Sequence, residues 1–196
     1  MENPLSNPAY RKLPPEAMIL LRQVSAPPRL VAHLIVVHDV ASRLVERICG
    51  AFPGLTLDRE AVLFGASLHD LGKSIYRSEL VEPGKEHEKR GVELLRGMGV
   101  SEDRARFALT HGNWGTAENI TLEDLVVALA DNCWKGKRVD ELESKTVELL
   151  GSVSGKPAWT CFAVLDEILE SLAQDADERL AWQGVYSTQS ADPGQS

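Results

Sequence analysis

The chain has 196 residues, of which 43% are hydrophobic and 26% charged, a composition that fits one globular domain around a single core. Its formal net charge of −8 repels nucleic acid phosphates, and no arginine-rich tract or aromatic-basic alternation reverses this locally. The sequence also lacks a signal-peptide pattern and any apolar run near the roughly 20 residues that a membrane span requires. We therefore expect a cytoplasmic protein with neither a nucleic acid nor a membrane partner.

The cysteines support the same location. Cys49, Cys133 and Cys161 are widely spaced, odd in number, and each lies in an apolar helical context rather than in a CxxC pattern. We expect reduced, buried thiols and neither a disulfide nor a zinc knuckle.

The periodicity of the chain is helical between two irregular ends. Four prolines among the first 15 residues predict an irregular N-terminal segment, and the C-terminal stretch is polar and contains glycine and proline. We divide the chain into an irregular segment (1–12), one domain (13–186) and a flexible tail (187–196), and expect both ends to lie outside the core. No segment sustains β alternation, so the sequence predicts an all-α bundle.

The first predicted helix is long and carries a histidine on its apolar face. Pro27-Pro28 is expected to start it and the region from Gly50 to Pro53 to end it. A second histidine, His38, lies five residues after His33, or about 140° around the helix axis, so the two cannot face one site. The apolar stripe consists of Leu30, His33, Val37, Ala41, Leu44 and Ile48.

The next predicted helix ends in a histidine-aspartate pair. Asp58 is expected to cap its start, and the helix runs to His69-Asp70, after which Gly72 permits a turn. The stretch from Ser74 to Lys85 is predicted to be a loop across the mouth of a site, where specificity usually resides. Further helices are predicted at Glu86–Gly97, Glu102–His111 (capped by Ser101), Leu122–Trp134, Val139–Leu150 and Trp159–Leu180.

Four of the five histidines and one aspartate fall singly in successive apolar segments. Imidazole nitrogen and carboxylate oxygen suit Mn, Fe, Co, Ni or Zn, and the lack of cysteine among them argues against a structural zinc site. Asp131 ends an apolar run, which is unlikely for a carboxylate unless a cation neutralises it. The candidate ligands, in chain order, are His33, His69, Asp70, His87, His111 and Asp131.

This order resembles the HD superfamily of metal-dependent phosphohydrolases, specifically its members with two metal ions, over roughly Arg29 to Arg138. The resemblance implies an HD-type helical bundle that binds divalent transition metal ions, two of them. In the family, small or apolar residues follow the first ligand at the fourth, eighth and eleventh positions. Val37, Ala41 and Leu44 occupy these positions after His33. The resemblance therefore favours His33 as the first ligand and leaves His38 a packing or supporting role. The resemblance implies a primary site of His33, His69, Asp70 and Asp131, and a second metal at His87 and His111, with Asp70 as the bridge.

Several other residues are candidates for contact with substrate or ligands. Lys73, directly after the turn, can place its ammonium against a phosphate and take part in catalysis. Glu86 and Glu88 could orient His87. Lys137 and Arg138 could bind further phosphates, or form a solvated cluster at a helix end. Trp114 could stack on a base, whereas Trp134 is expected to pack in the core.

The resemblance implies hydrolysis of a small phosphorylated substrate by metal-bound hydroxide. Segments around the His-Asp pair and the last aspartate are similar to bacterial symmetric diadenosine tetraphosphate hydrolases, which suggests a nucleotide or dinucleoside polyphosphate. The general acid stays open among His87, His111, Glu79 and Glu82. Alternatives are a nucleoside 5′-monophosphatase, which can use one metal, a cyclic-nucleotide phosphodiesterase, and a non-catalytic module that senses nucleotide or metal.

Overall fold

A computed structural model describes residues 7–188 and contains helices but no strand in that range. Two short 3₁₀ turns, Leu71–Ser74 and Arg77–Leu80, lie between the third and fourth helices. The helices are α1 (Pro15–Gln23), α2 (Pro28–Ala51), α3 (Arg59–Leu68), α4 (Glu86–Gly97), α5 (Glu102–Ala105), α6 (Phe107–Asn113), α7 (Leu122–Cys133), α8 (Asp140–Ser154), α9 (Ala158–Ala173) and α10 (Ala176–Gly184).

Local signals account for the starts of the two helices that follow the N-terminal region. α2 begins at Pro28 after an extended Pro27, because the fixed φ of proline suits the first helical position and its missing N–H is not needed there. α3 begins after Asp58, whose side chain accepts a hydrogen bond of 2.9 Å from the backbone N–H of Ala61. Both predictions are confirmed.

Other predicted boundaries are wrong. Glu102–His111 is two helices, and Ser101 makes no capping hydrogen bond through its side chain. Trp159–Leu180 is also two, because the chain turns at Gln174 and Asp175 so that α10 packs back against α2. α1 was not predicted, although Pro15 occupies a first helical position that favours proline.

The helices enclose two clusters of buried apolar side chains. The larger cluster joins α2 and α3 with α7, α8 and α9, and the smaller one joins α1 and the start of α2 with the ends of α3 and α4. α2 contributes to both clusters and is buried on nearly every side. It is therefore the central helix, and a ligand on it lies deep in the fold.

The described parts of both termini contact the fold instead of lying outside it. The Tyr10 ring packs 4.9 Å from that of Trp182, and the Ser187 carbonyl accepts a hydrogen bond of 2.9 Å from the backbone N–H of Arg29. Tyr10 therefore packs against the core, contrary to the expectation that both ends lie outside it, whereas Ser187 is exposed. The rest of the predicted irregular segment (1–6) and of the flexible tail (189–196) lies outside the described residues.

Within residues 7–188, no helix combines the length and apolar character needed to cross a lipid bilayer.

Candidate metal centre

Three elements bring four predicted ligands together in the interior. His33 comes from α2, His69 and Asp70 from the end of α3, and Asp131 from α7, with all four ligand atoms within 4.8 Å of one another. His33 Nε2 lies 3.3 Å from His69 Nε2, 3.1 Å from Asp70 Oδ2 and 3.4 Å from Asp131 Oδ1. Ligand atoms that share one transition metal at bonds of about 2.0–2.2 Å are spaced in this way. The cluster therefore has the size of a metal site.

A second group shares Asp70 with the first. His87 Nε2 lies 3.0 Å and His111 Nε2 3.5 Å from Asp70 Oδ1, and these three atoms also lie within 4.8 Å of one another. The two oxygens of Asp70 thus face different groups, Oδ2 towards His33 and Oδ1 towards the other pair. Such a carboxylate can bridge two ions.

The chemistry of these side chains fits bound cations. Asp70 Oδ1 and His87 Nε2 are buried 3.0 Å apart without the alignment of a hydrogen bond, and a cation that both atoms bind would satisfy them. Burial would raise the pKa of Asp70, but Lys73 and the surrounding histidines hold it well below its usual value. His33 and His69 likewise hold the pKa of Asp131 down against burial. Both carboxylates are therefore ionised, as metal binding requires.

Helix geometry orients two of the histidines. His69 Nδ1 lies 3.1 Å from the Ala66 carbonyl oxygen, and His111 Nδ1 lies 3.1 Å from the Phe107 carbonyl oxygen. Each ring donates its Nδ1–H to its own helix, which leaves the lone pair of Nε2 free to face the centre.

Gly72 brings the second group against the first. A Cβ at Gly72 would lie 1.9 Å from the backbone oxygen of His87, so any larger residue would push α4 away from the turn after Asp70. The sequence indicated only a turn at Gly72. Its main role is this close approach of two backbone segments.

His38 lies away from both ligand groups, as the predicted helix phase required. It is 4% exposed, and its Nδ1 has no hydrogen-bond partner. Burial, together with the charge of Arg11, lowers the pKa of His38 to about 4. The structure therefore places a neutral imidazole in the protein interior at neutral pH.

We expect His38 to make the protein less stable in mild acid. The unfolded chain takes up a proton on this side chain near pH 6.5, whereas the folded protein does so only near pH 4. The free energy of unfolding should therefore fall by about 3 kcal/mol between those pH values on account of His38. Urea unfolding of the wild type and His38→Gln at pH 7.0 and 4.5 measures this, because other groups titrate in both proteins. An equal loss in the two would contradict a buried neutral His38.

Lys73 reaches the bridging carboxylate. Its Nζ lies 2.6 Å from Asp70 Oδ2, and 20% of its side chain is exposed to solvent. The ammonium thus lies beside the candidate metal centre and is partly open to solvent.

The three other predicted substrate contacts differ in their surroundings. The Arg138 guanidinium is held by Glu143 and Asp166, at 2.7 and 2.6 Å, so it joins α8 to α9. Trp114 is partly buried against the larger apolar cluster, which favours packing over stacking on a base. Lys137 is exposed to solvent.

Sequence reasoning missed the partner of His87. Glu79, from the second 3₁₀ turn, contacts His87 Nδ1. Glu86 is instead exposed, and the buried Glu88 accepts a hydrogen bond from Asn113 Nδ2, so the expectation that these two glutamates orient His87 is wrong. No periodicity could have revealed Glu79, because it lies in an irregular segment eight residues before the histidine.

Trp134 was expected in the core and is buried, with its ring 5.0 Å from that of His33.

Comparisons with known proteins give a family match, a relative and a solved structure of similar fold. The profile of the HD domain family matches residues 30–134, which include every ligand of both groups. An uncharacterized protein of Methanocaldococcus jannaschii is 32% identical over 139 residues, which cover 62% of this chain and 78% of that protein. The fold resembles the HD domain of the L. monocytogenes phosphodiesterase PgpH, solved in complex with cyclic-di-AMP, with a TM-score of 0.50 at 12% identity over 81% of this chain and 96% of that one.

Proposed function

Because the chain belongs to the HD domain family, we propose that it is a metal-dependent phosphohydrolase with two divalent transition metal ions. Its proposed substrate is small and phosphorylated, a nucleotide or dinucleoside polyphosphate. The observation that carries the proposal is Asp70, whose two oxygens face two separate groups of buried imidazoles. His33, His69, Asp70 and Asp131 would hold one ion, and Asp70, His87 and His111 the other.

The protein's own residues supply position and charge. Bound ions would supply the Lewis acidity that makes water nucleophilic near neutral pH and that neutralises phosphoryl oxygens. Asp70 fixes the spacing of the two halves of the centre, and the Nδ1–H bonds of His69 and His111 hold their rings in place. Burial of the ligands keeps bulk water out, which strengthens each of these electrostatic interactions.

Lys73 is the proposed contact for substrate phosphate. Its ammonium is already held beside the centre by Asp70, 2.6 Å away. Because the side chain is partly exposed, it can turn a second N–H towards an entering phosphate without leaving this carboxylate. Arg138 is not one of the proposed phosphate contacts, because two carboxylates occupy its guanidinium.

Charge and thiol chemistry support the remaining parts of the proposal. The net charge of −8 disfavours a polynucleotide substrate, which leaves a small nucleotide. Cys49, Cys133 and Cys161 are unpaired, as expected of a protein in the reducing cytoplasm, where we propose that it acts.

A substrate panel with metal analysis tests the proposal and separates its alternatives. Protein loaded with excess Mn²⁺ is incubated with diadenosine tetraphosphate, nucleoside monophosphates, cyclic mononucleotides and cyclic-di-AMP, and products are separated by chromatography. We expect close to two ions per chain and cleavage of the dinucleoside polyphosphate. One ion per chain with cleavage of monophosphates alone would support the monophosphatase, and cleavage of cyclic substrates alone the phosphodiesterase. Two ions without turnover on any substrate would support the sensing module.

A further inference from the structure

The segment between the first 3₁₀ turn and α4 is folded around one carboxylate. Glu79 Oε1 accepts a hydrogen bond of 3.1 Å from the backbone N–H of Glu86, and Oε2 accepts one of 3.3 Å from that of His87. Oε2 also contacts His87 Nδ1. Gly84 leaves room for this side chain, because a Cβ there would lie 2.4 Å from the Glu79 carboxyl carbon. Residues 84–87 thus converge on the Glu79 carboxylate.

The position of His87 in its helix explains why it needs such a partner. His69 and His111 donate Nδ1–H to carbonyls three and four residues earlier on their own helices. His87 is the second residue of α4, so the residues three and four before it lie outside the helix. Glu79 supplies the acceptor that the helix lacks.

The contact also determines which nitrogen faces the centre. With Nδ1–H donated to Glu79, the lone pair of His87 Nε2 points towards Asp70 Oδ1, 3.0 Å away. A carboxylate partner makes an imidazole a better metal ligand than a carbonyl partner does, because its negative charge raises the basicity of the ring.

We propose that Glu79 is a positioning residue for the second metal ion, acting through His87. This inference rests on the proposed two-metal function. Because the same carboxylate anchors the segment 75–85, most of whose residues are exposed, to the start of α4, binding of the second ion should also stabilise that segment.

Calorimetric titration of metal-free protein with Mn²⁺ tests the proposal without reference to activity. The wild type should bind two ions. In Glu79→Ala the affinity of the second should fall by about 10- to 100-fold, the usual cost of losing a partner of a metal-bound histidine, while that of the first is unchanged. In Glu79→Gln the affinity for the second ion should fall less, because an amide oxygen still accepts the Nδ1–H of His87. Glu86→Gln, an exposed glutamate beside His87, is the matched control and should bind both ions normally.

Hydrogen exchange gives a second measurement. Amides of residues 75–85 should gain protection when the second ion binds the wild type, and should gain less in Glu79→Ala. If Glu79→Ala does not fold, as judged by circular dichroism, Glu79→Gln decides the question in the same titration. Two ions bound by both Glu79 variants with wild-type affinity would overturn the role of Glu79 and leave the two-metal function intact. A wild type that takes up one ion would overturn both.

Discussion

Replacing Asp70 with asparagine is expected to empty both metal sites and to abolish hydrolysis. The carboxylate supplies an anionic oxygen to each ligand group, and an amide offers one neutral oxygen and one N–H₂, which repels a cation. Loss of one electrostatic group aimed at a transition state costs about 10²- to 10³-fold in turnover, so loss of the residue shared by both sites should cost at least that. Metal content by mass spectrometry and phosphate release in Mn²⁺ measure the effect.

The chain provides a matched control in its other histidine-aspartate pair. Asp39 is also buried, but its oxygens accept hydrogen bonds from the backbone N–H of Arg11, at 3.1 Å, and from Arg43 Nε, at 2.8 Å. Asp39→Asn should lose about 1–3 kcal/mol of stability yet retain both ions. If Asp70→Asn kept its metal and its turnover, the metal centre assigned to this cluster would be wrong.

Replacing Arg179 with methionine is expected to cause a large loss of stability. Arg179 is 2% exposed and donates hydrogen bonds to the carbonyl oxygens of Trp134, Leu172 and Cys133, at 2.7, 2.5 and 3.3 Å. These carbonyls belong to the ends of α7 and α9, where helical acceptors have no partner within the helix.

The loss of stability should be large because the substitution removes the hydrogen-bond donors of Arg179 but leaves the backbone acceptors in place. An apolar substitute for a buried ion pair can be neutral, but here the backbone carbonyls remain, and those of Trp134 and Leu172 would lose their donor. The carbonyl of Cys133 would keep one, because it also accepts a hydrogen bond of 2.9 Å from the Gly136 N–H. We expect a decrease of about 2–6 kcal/mol in the free energy of unfolding, or about 1–3 kcal/mol for each of the two carbonyls left without a donor, out of a total of about 5–15 kcal/mol. The stability of Arg179→Lys should lie between those of the wild type and Arg179→Met, because an ammonium cannot reproduce the planar, forked hydrogen bonding of a guanidinium.

Urea unfolding at neutral pH measures these differences. Arg90→Met is the control, because Arg90 pairs with Glu93 at 2.9 Å on the surface, and this exposed pair should contribute less than about 1 kcal/mol. An Arg179→Met protein within 1 kcal/mol of the wild type would show that these carbonyls find other donors.

The sequence by itself determined the all-α class, the central helix and the set of candidate ligands. Proline at a first helical position and the Asp58 cap act on neighbouring backbone, so they can be read locally. The phase of α2 separated His33 from His38, because five residues turn a helix by about 140°. The structure places only His33 of these two in a ligand group.

Only the tertiary structure decided the partners of the polar side chains. Periodicity reports which face of a helix is buried, but not which distant donor or acceptor meets it there. Glu79 reaches His87 because an irregular segment folds back on α4, and Arg138 is held by Asp166 because α8 and α9 pack together. Arg179 lies at the ends of two other helices because the chain turns between α9 and α10. These contacts depend on packing between elements far apart in the chain, which no local pattern encodes.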